Sequence, residues 1–176
     1  VAKWAPDIKG RGVGVVHNNI GALTAFMYGD ADMGVKLLHQ SAKAPGQERM
    51  LGAFDETLPG GGDLIQLWSF GPFMEAVIRG LVGVEPTYGA LGKADARILN
   101  LYVQRPESLS NYRLNDLKIG DDSWSVRWIR NGPVNEVKIV HASGKQTGRV
   151  ALRLGGNSLT RFTLNSKPIN PRQETC

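Results

Sequence analysis

Two neighbouring carboxylates, Asp55 and Glu56, stand in the stretch LGAFDETLPGGG, whose glycines and proline mark a loop. General acid–base work needs a carboxylate or imidazole where a substrate can reach it, and acids in such a loop face whatever the flanking helices surround. The plain alternative is a solvated pair, since most surface carboxylates do no chemistry. Upstream, His17, Asn18 and Asn19 bring together an imidazole and two side-chain amides, all able to exchange hydrogen bonds. The asparagines equally suit the N-cap of the following helix. Downstream, Gln66 and Trp68 open the helix after the loop. Trp68 offers a flat apolar wall, yet its place on an inward stripe reads as core. His39 and His141 have no partner at zinc-ligand spacing, so neither receives a role. Cys176 is the only cysteine, which excludes an intrachain disulfide and a cysteine-based metal site. No metal and no cofactor are expected.

The helix after the loop organises the chain. Leu64, Leu67, Trp68, Gly71, Met74, Val77, Ile78 and Leu81 recur at spacings of three and four, the stripe of a helix buried along one face. Asp63 with Gln66 supplies a capping box, while Gly83 and Pro86 supply the stop. Pro72 inside it costs roughly 3 kcal/mol, so the helix either kinks there or divides, with Pro72 opening the second piece. Two earlier helices are expected near residues 19–27 and 31–42, separated by Tyr28-Gly29-Asp30. A short turn between helices makes them an antiparallel hairpin. The first has a thin side of Gly21, Ala22 and Ala25; the second turns Met33, Val35, Leu37 and Leu38 inward.

From Arg97 onward the period changes to two. ARILNLYVQ, NYRLNDLKIG, SWSVRWIRNG, NEVKIVHAS, GRVALRLGG and SLTRFTLNSK are short, rich in strand formers, and divided by turn signals such as Asn131-Gly132-Pro133 and Ser143-Gly144. Trp124, Val126 and Trp128 alternate with Ser125 and Arg127, which describes a sheet buried on one side. The expected fold class is therefore α+β: helical hairpins over residues 1–90, an antiparallel β-sandwich over 91–176, and strands only after residue 96.

Charge excludes some partners. Of the net +5, residues 1–96 carry 8 Lys/Arg against 10 Asp/Glu, and residues 97–176 carry 13 against 6. The basic surplus is spread along strands without a basic block or recognition motif, so it reads as solvated strand faces and no nucleic-acid partner is expected. The glycines of GRGVGVV match neither G-x-G-x-x-G nor a phosphate loop ending in G-K-[ST], and read as a plain loop. The opening VAKWAPDIKGRG is neither a signal peptide nor a membrane span, so no membrane partner is expected. No Met opens the chain, and the expectation is a piece of a longer protein whose first part should leave an apolar flank exposed.

These residues carry a resemblance. GVGVVHNNIGALTAFMYGDADMGVKLL, GAFDETL and LIQLWSFGPFMEAVIRGLVGVEP, in that order, resemble the C-terminal third of the (α/α)6-barrel glycoside hydrolases, particularly the glycogen-debranching and glucosidase groups. There a histidine-containing turn opens a helix, a loop glutamate follows, and the next helix begins with Gln-x-Trp-Ser. The resemblance covers about residues 12–86 and implies the closing part of a helical toroid joined to a β-domain. It implies that Glu56 is the general base of an inverting mechanism, with Asp55 the alternative because Asp stands where the family has Pro. It further implies that His17, Asn18, Asn19, Gln66 and Trp68 line a carbohydrate site, that the general acid lies in the upstream part of the same catalytic domain, and that these residues alone are inactive. The second reading is a carbohydrate-binding β-sandwich with its groove over Trp124 and Trp128; the third is a structural domain without a ligand.

Overall fold

The computed structural model describes residues 13–43, 57–58, 67–85, 98–119, 121–144, 149–154, 163–164 and 167–168. The fold is mixed α+β. In chain order the elements are β1 (Val13–Gly14), α1 (Val15–Met27), α2 (Ala31–Lys43), β2 (Thr57–Leu58) and α3 (Leu67–Glu75), which passes into a π-helix (Ala76–Leu81). There follow β3 (Val84–Glu85), β4 (Ile98–Val103), β5 (Asn111–Ile119), β6 (Asp122–Asn131), β7 (Val134–Ser143), β8 (Arg149–Leu154), β9 (Thr163–Leu164) and β10 (Lys167–Pro168).

Helix α1 starts earlier than its polar residues suggest. Gly14 is its N-cap, in an extended conformation and without a side-chain cap, so Asn18 and Asn19 are not caps but lie one turn inside. Asp30 caps α2 instead, accepting the Met33 N–H at 3.0 Å. Residue 18 of α1 meets residues 37 and 41 of α2, and residue 26 meets residue 34, so the two helices run antiparallel. Their core is Ala22, Phe26, Leu38 and Ala76, bordered by Leu23, Val35, Leu37, Phe73, Val77 and Leu81. Met33, expected inside, is 37% exposed.

Phe26 fixes the spacing of the three helices. A Cβ built on Gly34 would stand 2.6 Å from one edge of its ring, and one on Gly80 2.5 Å from the other. Only residues without a side chain admit the ring at that distance. The fully buried positions of α3 and the π-helix are accordingly small, Ser69, Ala76 and Gly80, with Phe73, Val77 and Leu81 packed at the border and Trp68, Phe70 and Met74 outside. This corrects the expected stripe at Trp68, Gly71 and Met74, whereas Val77, Ile78 and Leu81 pack against the two cores as expected. α3 also continues through Pro72 rather than dividing there. One turn later the winding widens, and Val82 donates to the Val77 carbonyl five residues back at 3.0 Å. The Asp63–Gln66 cap lies outside the described residues.

Strands also occur before residue 96, contrary to expectation. β1 pairs antiparallel with β2, and β3 with β4. Gly83, at φ +76, makes the second pairing possible: a Cβ there would fall 1.8 Å from the Tyr102 carbonyl oxygen. β4 pairs with β8 in parallel, from Ile98 opposite Arg149 to Val103 opposite Leu154. An all-antiparallel arrangement is thereby corrected: a chain that leaves β4 through the β5–β7 meander returns to it in the same direction.

β5, β6 and β7 form a three-stranded antiparallel sheet. Between Leu114 and Leu117, β5 carries an extra residue opposite β6, with Asp116 at φ 55. This bulge resets the alternation, so Tyr112, Leu114, Leu117 and Ile119 all face the core. The β6–β7 connection is Gly132-Pro133, with positive φ at Gly132, the first central position of a type II′ turn. Val82, Val84, Leu101, Val103, Trp124, Val126 and Trp128 make one apolar cluster to which both three-stranded sheets contribute, with Ile78 of the π-helix beside it.

Candidate functional site

The β1–β2 ladder joins two parts of the sequence that carry candidate chemistry. Gly14 is opposite Thr57 and Val13 opposite Leu58. Thr57 follows Glu56 directly, and Gly14 caps the helix whose first turn holds His17. Two residues past His17, the buried Asn19 amide donates to the Ser69 carbonyl at 2.9 Å, tying α1 to the start of α3 beside Trp68. The ladder thus sets Thr57 beside the start of α1, and the Asn19 bond sets the start of α3 against the same helix. Asp55, Glu56 and Gln66 lie outside the described residues.

The candidate binding residues differ in what they reach. His17 is exposed on α1, and Trp68 is 67% exposed on α3. Asn18, 7% exposed, donates to the Leu37 carbonyl at 2.6 Å and to the Ser41 hydroxyl at 2.8 Å. Both its amide hydrogens are therefore committed to α2. Asn19 is fully buried, and its Oδ1 has no partner among the described residues. The pair thus joins helices, and among the described residues the buried Asn19 Oδ1 is left over.

A polar network that the sequence does not announce lies where the helices meet the strands. Asp32 of α2 accepts the backbone N–H groups of Glu107 and Ser108 at 3.0 and 2.7 Å. The Ser108 hydroxyl first, then these amides and the Arg130 charge, hold the Asp32 carboxyl below its ordinary value against the opposing effect of burial. Arg130 donates to the carbonyls of Pro106 and Glu107 and lies 5.5 Å over the Trp128 ring. Nearby, Gln104 donates to the Phe26 carbonyl at 3.1 Å, and its own carbonyl receives the Tyr112 hydroxyl at 2.9 Å. Burial pushes the Tyr112 phenol well up, which keeps its proton in place. A side-chain acceptor can serve any backbone amide within reach, so spacing along the chain carries no signal of such bonds.

In the β6–β7 hairpin, His141 Nε2 is 3.0 Å from the buried Asp122 carboxylate, with Trp124 edge-on to the imidazole. Trp124 and Trp128 are 6% and 0% exposed, so the groove expected above them is replaced by core. Among the described residues no group of three or more His, Cys, Asp or Glu is placed to hold a metal ion. No helix among them is long and apolar enough to cross a membrane. No family model matches this chain, and neither does any curated protein.

Proposed function

We propose that this chain is the C-terminal portion of a glycoside hydrolase acting on oligo- or polysaccharide, with Glu56 as the general base of an inverting mechanism. One observation supports this reading above the others: Thr57, the residue after Glu56, is paired beside the first turn of α1, which holds His17. The resemblance calls for these two segments at one sugar site. Inversion needs two carboxyl groups roughly 6.5–9.5 Å apart, one protonating the leaving oxygen and the other deprotonating water. On this reading the acid comes from upstream, α1–α3 close a helical toroid, and the two sheets that share one core are its β-sandwich. His17 would donate to sugar hydroxyls, and the exposed Trp68 would present its face to a sugar ring.

The second reading, a carbohydrate-binding sandwich, loses its most direct support because Trp124 and Trp128 are core. The test is to follow hydrolysis of α-linked gluco-oligosaccharides by the complete protein carrying these residues, reading the anomer first released by proton NMR. Release of the inverted anomer, abolished by Glu56→Gln, is the expected result. Retention of configuration, or undiminished turnover in the variant, would overturn the assignment.

A further inference from the structure

A cavity of about 350 Å³ opens beside the Arg130 network, lined by Arg105, Glu107, Arg130, Gly132 and Asn135. This is at the small end of the roughly 300–1,000 Å³ range of ligand pockets, which suits a ligand of one ring. Arg130 is pre-positioned: two of its nitrogens donate to the carbonyls of residues 106 and 107, and its guanidinium carbon lies 5.5 Å over the buried Trp128 ring. A guanidinium has five N–H donors, so three remain beyond those two bonds. Arg105 is exposed and makes no hydrogen bond or ion pair among the described residues. Asn135 stands directly opposite Arg130 in the β6–β7 register and adds an amide. At Gly132 a Cβ would meet nothing within 4 Å, so the glycine leaves the turn side open.

The geometry points to a binding site for a small monoanionic, hydroxyl-bearing ligand, its oxyanion held by Arg105 and Arg130 and its hydroxyls by Glu107 and Asn135. The lining charge selects this class. Arg105 has no ion-pair partner among the described residues, so one positive charge is available for a single carboxylate or a singly charged phosphate ester, while the Arg130 charge is shared with Asp32. Glu107 repels a more highly charged anion but accepts from hydroxyl groups. A fixed guanidinium fork also fits a planar carboxylate better than a lysine would. Neither arginine is among the residues proposed for hydrolysis, so the site does not depend on that assignment.

The experiment is a titration of the 15N-labelled chain with D-glucuronate, inorganic phosphate and D-glucose, followed by amide chemical shifts. Saturable shifts confined to residues 104–108 and 130–136 are expected with glucuronate, weakened by raised ionic strength. Arg105→Gln, an exposed change, should lower the affinity about tenfold, the worth of one charge-assisted hydrogen bond. Saturable shifts with phosphate as well support the oxyanion chemistry and show that the carboxylate source is not required; shifts with glucuronate alone support an acidic sugar. Glucose binding as tightly as glucuronate, no saturable shift, or an unchanged affinity in Arg105→Gln overturns the proposal.

Discussion

Asp32 and Ser108, 76 residues apart in the chain, meet through a 2.7 Å hydrogen bond from the Ser108 backbone N–H to the Asp32 carboxylate. With the Glu107 amide at 3.0 Å, it ties the start of α2 to the segment between β4 and β5. Arg130 grips the same segment from its carbonyl side. Helices and strands are thereby joined through one short piece of backbone.

Asp32→Asn keeps the shape and removes the charge, and solvent screening limits the loss at neutral pH to about 1 kcal/mol. The folded carboxyl sits below its ordinary 3.8. Its contribution is therefore complete above that pH and fades as pH falls through the lower folded value. Urea unfolding of wild type and variant should converge in acid. A difference that stays constant across pH would mean that the charge is not responsible.

Gly34→Ala raises helix propensity by about 1 kcal/mol, yet should destabilise by roughly 1–3 kcal/mol, because the new methyl overlaps the Phe26 ring. Gly71→Ala, in the exposed part of α3 with nothing within 4 Å, serves as the control and should be neutral or stabilising. Equal effects of the two changes would contradict the socket described for Phe26.

Asn18→Ala removes two hydrogen bonds, to the Leu37 carbonyl and the Ser41 hydroxyl, a loss of about 1–3 kcal/mol in thermal or urea unfolding. Because both amide hydrogens already serve α2, oligosaccharide affinity measured well below the melting temperature should not change. A large affinity loss in a fully folded variant would return Asn18 to the sugar site.

Tyr112→Phe tests the phenol that burial holds protonated. Its ordinary pKa is 10.0 and its folded value is higher, so wild type should lose stability as pH rises above 10, where only the unfolded state ionises. The phenylalanine variant, less stable at neutral pH by about 1 kcal/mol for the lost bond to Gln104, should show a shallower alkaline decline. Parallel declines would place the alkaline sensitivity elsewhere.

Glu56→Gln in the complete protein should lower turnover by about 10²–10⁴-fold, the usual worth of a positioned base, with little change in affinity. Asp55→Asn should cost much less. The reverse ranking would move the base by one residue. Azide added to Glu56→Ala should restore part of the rate, since a small anion can attack without a base.

The sequence by itself determined the longer elements, though not the two-residue strands β1, β2 and β3, because a period of 3.6 or 2 is a local property of successive side chains. Helix α2, α3 with its π-helical end, and strands β4 to β8 lie where their periods and turn residues place them, while α1 begins four residues earlier. The alternation in β6 named Trp124, Val126 and Trp128 as one face, and that face is core. Tertiary structure alone decided what each face meets. Trp68 has the same apolar character as Trp128, but α3 approaches α1 through small residues, so the larger side chain is left outside. Asn18 and Asn19 carry cap chemistry, yet a helix beginning at Val15 puts them against α2 and α3. The candidate site divides in the same way: its residue types were legible, whereas the pairing of Thr57 with Gly14 and the parallel return of β8 to β4 were not. Ladder hydrogen bonds join backbone groups that every residue except proline possesses, so pairings between distant strands leave little trace in side-chain type.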